Sequence, residues 1–174
     1  VAGRTEEEVY AALGLPLIPP ELREARGELE AADEGRLPRL IELRDIQGDL
    51  QMHTRASDGH QSVREMAEAA RAMGYSYIGI TDHSPSLAVA HGMSADTIKR
   101  QHDEILALNE ELKREGVPLT VLHGLEADIM TDGSVDVPDE VFALLDYVIG
   151  SVHQGFTADA DRMTARVLAA VRSG

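Results

Sequence analysis

Two observations predict an α/β fold with parallel strands, preceded by a short helical linker. From Ile46 onward, four times over, a short apolar run leads to a polar residue able to bind a metal, and helix-like segments separate the runs. Such alternation indicates parallel pairing through helical crossovers, and continuous apolar runs suit strands buried on both faces. The second observation is positional. His53, Asp58, His83, Glu126 and His153 all fall at or just past the ends of those runs, the end at which α/β barrels carry their working residues.

The elements follow in order. Residues 1–47 read as a helical, proline-containing linker and residues 48–174 as the α/β domain. Thr5 ahead of Glu6-Glu7-Glu8 is an N-cap with acids in the first turn. Gly14 and the Pro16–Pro20 stretch end that helix, and residues 21–35, rich in Glu, Ala and Arg, read as a solvated connector with some helix. The first apolar run, Ile46 to Met52, leads to His53 and the loop Thr54 to Gly59, then a helix from Ser62 to Met73 closed by Gly74. The second run is Tyr75 to Ile80, followed by Thr81-Asp82-His83-Ser84-Pro85. A long helix is predicted from Ser94 to Glu115, because Ile98, Ile105 and Leu112 recur every seven residues with Leu108 between them, marking one buried face. The third run, Val117 to Leu122, precedes Gly124-Leu125-Glu126, and a short helix begins after Pro138. The fourth run, Leu144 to Ile149, precedes Gly150-Ser151-Val152-His153, and a last helix spans Ala158 to Val171.

Composition narrows the function. The 174 residues carry 16 Lys and Arg against 31 Asp and Glu, a formal charge of −15, with no Cys and 3% aromatics. That charge gives no overall attraction for nucleic acid but suits a site that collects cations. Few aromatics weaken any scheme based on stacking bases across an open sheet. No apolar run approaches the roughly 20 residues of a bilayer span, and the N-terminus has no signal-peptide pattern, so no membrane partner is expected. The absence of Cys fits a reducing cytoplasm.

The strand-end residues are two acids and three imidazoles, an N/O donor set suited to zinc, manganese or iron; a sulfur-rich zinc site is excluded. Taken singly, each has another reading. Asp58 in Ser57-Asp58-Gly59 is also a turn residue, Glu126 could cap the next segment, and a lone His is often a hydrogen-bonded loop residue. His123 reads as buried and hydrogen-bonded, His102 as solvent-facing, His60 and His91 as loop residues at the ligand end, and Arg55 as a surface residue that could meet phosphate.

Gly48-Asp49-Leu50-Gln51-Met52-His53-Thr54 with Ser57-Asp58-Gly59 resembles the opening motif of the polymerase and histidinol phosphatase (PHP) domain family. Thr81-Asp82-His83-Ser84, Gly124-Leu125-Glu126 with Asp128, and Ser151-Val152-His153 resemble its next three motifs. The lead-in from Gly14 to Glu24, Asp132-Gly133-Ser134 and Pro138-Asp139-Glu140-Val141 are similar to the PHP domain at the C-terminus of bacterial family X DNA polymerases and its join to the polymerase part.

The resemblance implies a distorted barrel of about seven β/α units, here a partial one, holding up to three divalent metals, manganese or zinc. Carried over by position, His53 and Glu126 hold one ion, Glu126 bridges to a second that His153 also binds, and Asp58 and His83 hold the third. Glu126, His83 and His153 are then the catalytic residues, and Asp49 and Asp82 orient ligands from behind. The implied activity is metal-dependent phosphoester hydrolysis, 3′→5′ exonuclease or DNA 3′-end processing in repair, with a polymerase part in cis delivering the DNA. A histidinol-phosphatase-like activity and a catalytically weakened structural module are the alternatives. Two departures matter. Gln51 stands where the family has a metal-binding His, so that site is expected to be weaker, altered in metal preference or water-filled. The chain also stops before the family's later strands and ligands, from which an exposed sheet edge, self-association and little nuclease activity of this chain alone are expected.

Overall fold

The computed structural model describes residues 3–173; positions 1–2 and 174, the extremities of the two expected segments, lie outside it. Two compact units divide the chain, Val1–Asp45 and Ile46–Gly174.

The first unit holds two short helices. α1 (Glu6–Ala12) is capped by the Thr5 hydroxyl, which accepts from the Glu8 amide, as its sequence predicts. α2 (Glu28–Asp33) lies in the predicted connector. Arg23 clamps Glu6 with two hydrogen bonds of 2.8 Å, a bidentate pair at the surface.

The second unit is the α/β fold expected, with parallel strands that form part of a barrel. Its order is β1 (Gly48–Met52), α3 (Val63–Ala72), β2 (Tyr77–Ile80), α4 (Ala95–Arg114), β3 (Thr120–Asp128), α5 (Asp139–Phe142), β4 (Tyr147–Ser151) and α6 (Ala160–Arg172). The strands lie side by side in chain order, β1-β2-β3-β4, and every neighbouring pair is parallel.

Helix ends fall where capping chemistry puts them. Ser62 and Glu65 form a reciprocal capping box at the start of α3, satisfying two otherwise free amides. Ser94 caps α4 and Asp159 caps α6. The buried stripe of α4 is Ile98, Gln101, Ile105, Leu108 and Leu112. Its apolar members are the predicted ones, and they pack with Val63, Ala67 and Ala70 of α3, Ile78 and Ile80 of β2, and Leu125 of β3 in two clusters behind the sheet.

Two local features depart from the sequence reading. β3 extends to Asp128, six residues past the predicted end, because its second half pairs with β4 from Gly124↔Tyr147 to Asp128↔Ser151. Glu126 therefore sits inside a strand rather than beyond one. In β1 the register with β2 slips between Asp49 and Met52. The extra residue reverses the alternation of side chains, so Met52 packs on the core cluster while Gln51 and His53 face the opposite side.

Candidate metal centre

Alternation along β3 sends Leu125 and Ala127 into the core and Glu126 and Asp128 to the opposite face. Glu126 is 5% exposed and Asp128 2%. The chain beyond β2 stays against β3: Ser84 donates to the Glu126 carbonyl (2.9 Å) and Glu126 to the Asp82 carbonyl (3.1 Å). That continuation sets His83 beside Glu126. The slip in β1 brings His53 from one side, and the segment after β4 brings His153 from the other.

The result is a carboxylate ringed by imidazoles. Glu126 Oε2 lies 3.1 Å from His53 Nε2 and 3.9 Å from His83 Nδ1, and Oε1 lies 3.3 Å from His153 Nε2. Asp58, near the rim, approaches His53 Nδ1 at 3.3 Å and His83 Nε2 at 3.5 Å. The rings of His53 and His83 are 4.4 Å apart, centre to centre, and those of His83 and His153 5.5 Å.

The separations of 3.1–3.5 Å fit shared cations; the 3.9 Å from His83 Nδ1 to Glu126 is wider, and His83 meets Asp58 through Nε2 instead. Two donors each about 2.0–2.2 Å from one ion stand about 3.0–3.5 Å apart. His53, His83 and Glu126 each offer a ligand atom, all within 4.8 Å of one another. The chemistry of the donors agrees. His53 Nδ1 and His83 Nδ1 are buried without a hydrogen-bond partner, a state that costs free energy in the bare protein. His153 Nδ1 is 2.6 Å from Asp128 Oδ1, and its Nε2 is 3.3 Å from Glu126 Oε1, so the ring stands between two carboxylates with Nε2 toward the cluster. Carboxylate behind His is the usual support of a metal-binding imidazole.

Burial alone would push the Glu126 carboxyl up; hydrogen bonds from Ser151 and Gln51, with His83 and His53 nearby, outweigh it and hold the group below its ordinary value. Gln51 donates its amide to Glu126 Oε2 at 3.0 Å. This chain thus presents a neutral amide nitrogen, not an imidazole, to that carboxylate.

Asp82 and Asp49 do different work. Asp82 is fully buried and accepts from Thr54 N (2.7 Å), Thr54 Oγ1 (2.6 Å), Ser57 Oγ (2.5 Å) and Gln101 Nε2 (2.6 Å). It folds the loop between His53 and Asp58 without touching either. Asp49 is exposed and accepts from the main-chain N–H of Gln51 at 3.0 Å, beside the slip in β1.

His60 and His91 are exposed loop residues, and Arg55 pairs with Glu65 at 2.5 Å on the surface. His102 is corrected: it is half-buried on α4, its ring 5.4 Å from that of His123, because both project into the layer between helix and sheet. His123 is buried and its Nδ1 meets the Leu144 carbonyl at 3.3 Å. Sequence reasoning missed the roles of Asp128 and Gln101. Glu126 and Asp128, two apart, were the signal for the first once that segment is a strand; Gln101 lies on the apolar stripe of α4 and marks the second.

A PHP domain profile matches residues 49–173. The chain belongs to the PHP domain family. A DNA polymerase beta thumb profile matches residues 1–24. The chain is 49% identical over 152 residues to "DNA polymerase/3′-5′ exonuclease PolX" of Bacillus subtilis, covering 87% of this chain and 26% of that protein. It is 34% identical over 108 residues to a probable phosphatase of Acetivibrio thermocellus, covering 60% of this chain and 40% of that one. It is 31% identical over 132 residues to a probable phosphatase of Aliivibrio fischeri, covering 74% and 49%. The chain thus spans about a quarter of the polymerase relative and less than half of each phosphatase. Among the described residues no helix is long and apolar enough to cross a membrane.

Proposed function

We propose that this chain is the phosphoesterase part of a family X-type DNA polymerase, a metal-dependent 3′→5′ exonuclease that trims DNA 3′ ends in repair. One observation carries the reading: a buried carboxylate, Glu126, faces three imidazoles from separate strand ends, two of them at separations that fit shared cations. Similarity to PolX over most of the chain supports the DNA substrate. His53, Glu126 and His153, with Asp58 and His83, would hold up to three manganese or zinc ions. Divalent cations supply Lewis acidity toward phosphate oxygens and activate water near neutral pH.

The protein's own groups divide the remaining work. Glu126 turns Oε2 to His53 and Oε1 to His153, so one carboxylate serves two neighbouring positions. Asp128 holds His153 Nδ1 from behind and leaves Nε2 toward Glu126. Asp82 keeps the Asp58 loop folded over the rim. The charge of −15 disfavours tight DNA binding by this chain alone, so the polymerase part in cis delivers the DNA, in the cytoplasm; the reading includes association of the chain with itself, tested by sedimentation velocity.

The test is manganese-dependent release of nucleotides from single-stranded DNA by the polymerase-linked protein, beside His83→Ala and Glu126→Ala. Both variants are expected to lose at least 100-fold (about 2.7 kcal/mol); wild-type rates in both would overturn the reading. Similarity to probable phosphatases supports a second reading, a small-molecule phosphatase. Turnover of histidinol phosphate with none of DNA would favour it. The Gln51 amide on Glu126 supports a third, a structural module that holds metal weakly. Metal content well below one ion per chain, with normal polymerase activity, would favour that one.

A further inference from the structure

α6 turns one charged residue inward. Arg166 is 6% exposed. Its Nε donates to the Met130 carbonyl at 2.8 Å, Nη1 to the Gln154 carbonyl at 2.7 Å, and Nη2 to the Ile129 carbonyl. All three partners are main-chain acceptors. Burying a guanidinium on neutral carbonyls is costly unless its donors find partners; the planar fork reaches three carbonyls at once, from three different nitrogens, a spread an ammonium lacks.

The placement of those carbonyls gives the arrangement its meaning. Ile129 and Met130 directly follow Asp128, and Gln154 directly follows His153. Arg166 therefore ties together the two chain segments that carry the 2.6 Å contact between His153 Nδ1 and Asp128 Oδ1. The Ile129 amide joins the same segments through the Ser151 carbonyl at 2.8 Å. Gly155 has φ +70°, and a Cβ there would lie 3.2 Å from Arg166 Nη1, so the chain beyond His153 is closely fitted to the guanidinium.

We propose that Arg166 is a positioning residue for the candidate metal centre: by clamping the carbonyls next to Asp128 and His153 it holds the His153 ring against Asp128 with its Nε2 toward Glu126. This rests on the metal-centre reading above for its purpose, but not for its geometry, which the protein's own atoms define.

The experiment follows the His153 ring by nitrogen NMR in the metal-free chain, assigned by difference against His153→Gln. It also measures manganese affinity by calorimetry. Wild type is expected to show a single set of ring signals. Folded Arg166→Lys is expected to show shifted or doubled ring signals and roughly tenfold weaker manganese binding. A folded Arg166→Lys with wild-type ring signals and wild-type affinity would overturn the proposal. If Arg166→Lys does not fold, Gly155→Ala is read the same way, because its Cβ would lie 3.2 Å from Arg166 Nη1. Altered ring signals there support the proposal, and unchanged ones refute it. Failure of wild type to bind manganese would sink the metal reading, while the ring signals would still decide the role of Arg166.

Discussion

Tyr147, at the start of β4, donates its hydroxyl hydrogen to the carbonyl oxygen of Leu50 in β1, 2.5 Å away. β2 and β3 lie between those strands. In a flat sheet three strand spacings amount to about 14 Å, farther than a tyrosine reaches, so the contact exists only because the sheet curls. The ring passes over Gly79 and Gly124: a Cβ would come within 1.8 Å of the Tyr147 oxygen at the first and 2.8 Å of the ring at the second. Burial, with Asp49 and Asp146 nearby, pushes the phenol up to about 12, so the hydroxyl remains a donor across the physiological range.

Gly79→Ala should therefore cost about 1–3 kcal/mol, the usual effect of overpacking. In a Tyr147→Ala background the same change should cost clearly less, since the atoms it strikes are gone. Urea unfolding of the four proteins of this cycle measures the difference. Equal costs in both backgrounds would mean that the tyrosine is not what the glycine accommodates.

Gln51→His replaces an amide that donates to Glu126 with a ring nitrogen able to accept a metal. Manganese or zinc binding should tighten about tenfold, or about 1.4 kcal/mol. Calorimetric titration of the two proteins decides it; an unchanged or weaker affinity would show that the amide is not the deficit.

Asp82→Ala would strip four donors, from Thr54, Ser57 and Gln101, of their acceptor. The loss should be about 3 kcal/mol, since the acceptor is charged and buried. Hydrogen exchange at the Thr54 amide should rise with it. Slow exchange in a folded variant would show that the loop holds itself.

His123 carries a pH signature. Burial depresses it from 6.5, the Leu144 carbonyl opposes this, and His102 depresses it further. A lowered folded value means that the unfolded chain takes the proton first. The stability is fully present above 6.5 and is lost as pH falls from there through the lower folded value. Thermal melts between about pH 5 and 7.5 should show this decline in wild type and a flatter profile in His123→Gln. Parallel profiles would count against it.

Acid should also weaken metal binding. Imidazoles bind cations only when neutral, so manganese affinity should fall steadily below neutral pH, as read by calorimetry in matched buffers. A pH-independent affinity would remove His53, His83 and His153 from the ligand set.

The periodic elements were legible because their signals are local. Ile98, Ile105, Leu108 and Leu112 mark the inner stripe of α4 at helical spacing, and Ser62, Ser94 and Thr5 cap by chemistry contained within a few residues. Read along the chain, Gly124, Glu126 and Asp128 look like a polar loop, so the apolar run by itself ends β3 at Leu122. Only pairing with Tyr147 to Ser151 makes that segment a strand. His102 looked solvent-facing because its helix is amphipathic, whereas the neighbouring layer of sheet covers it.

Residue types and spacing alone specified four strand-like runs, the helices between them, and the acids and imidazoles at their ends, since alternation and capping depend on near neighbours. Folding decided which donors meet. The extra residue in β1 turns Gln51 and His53 toward Glu126, the extension of β3 adds Asp128 behind His153, and the curl brings β1 and β4 close enough for one tyrosine to span them. Each depends on contacts between residues from 25 to 97 positions apart, and no window along the chain contains those distances.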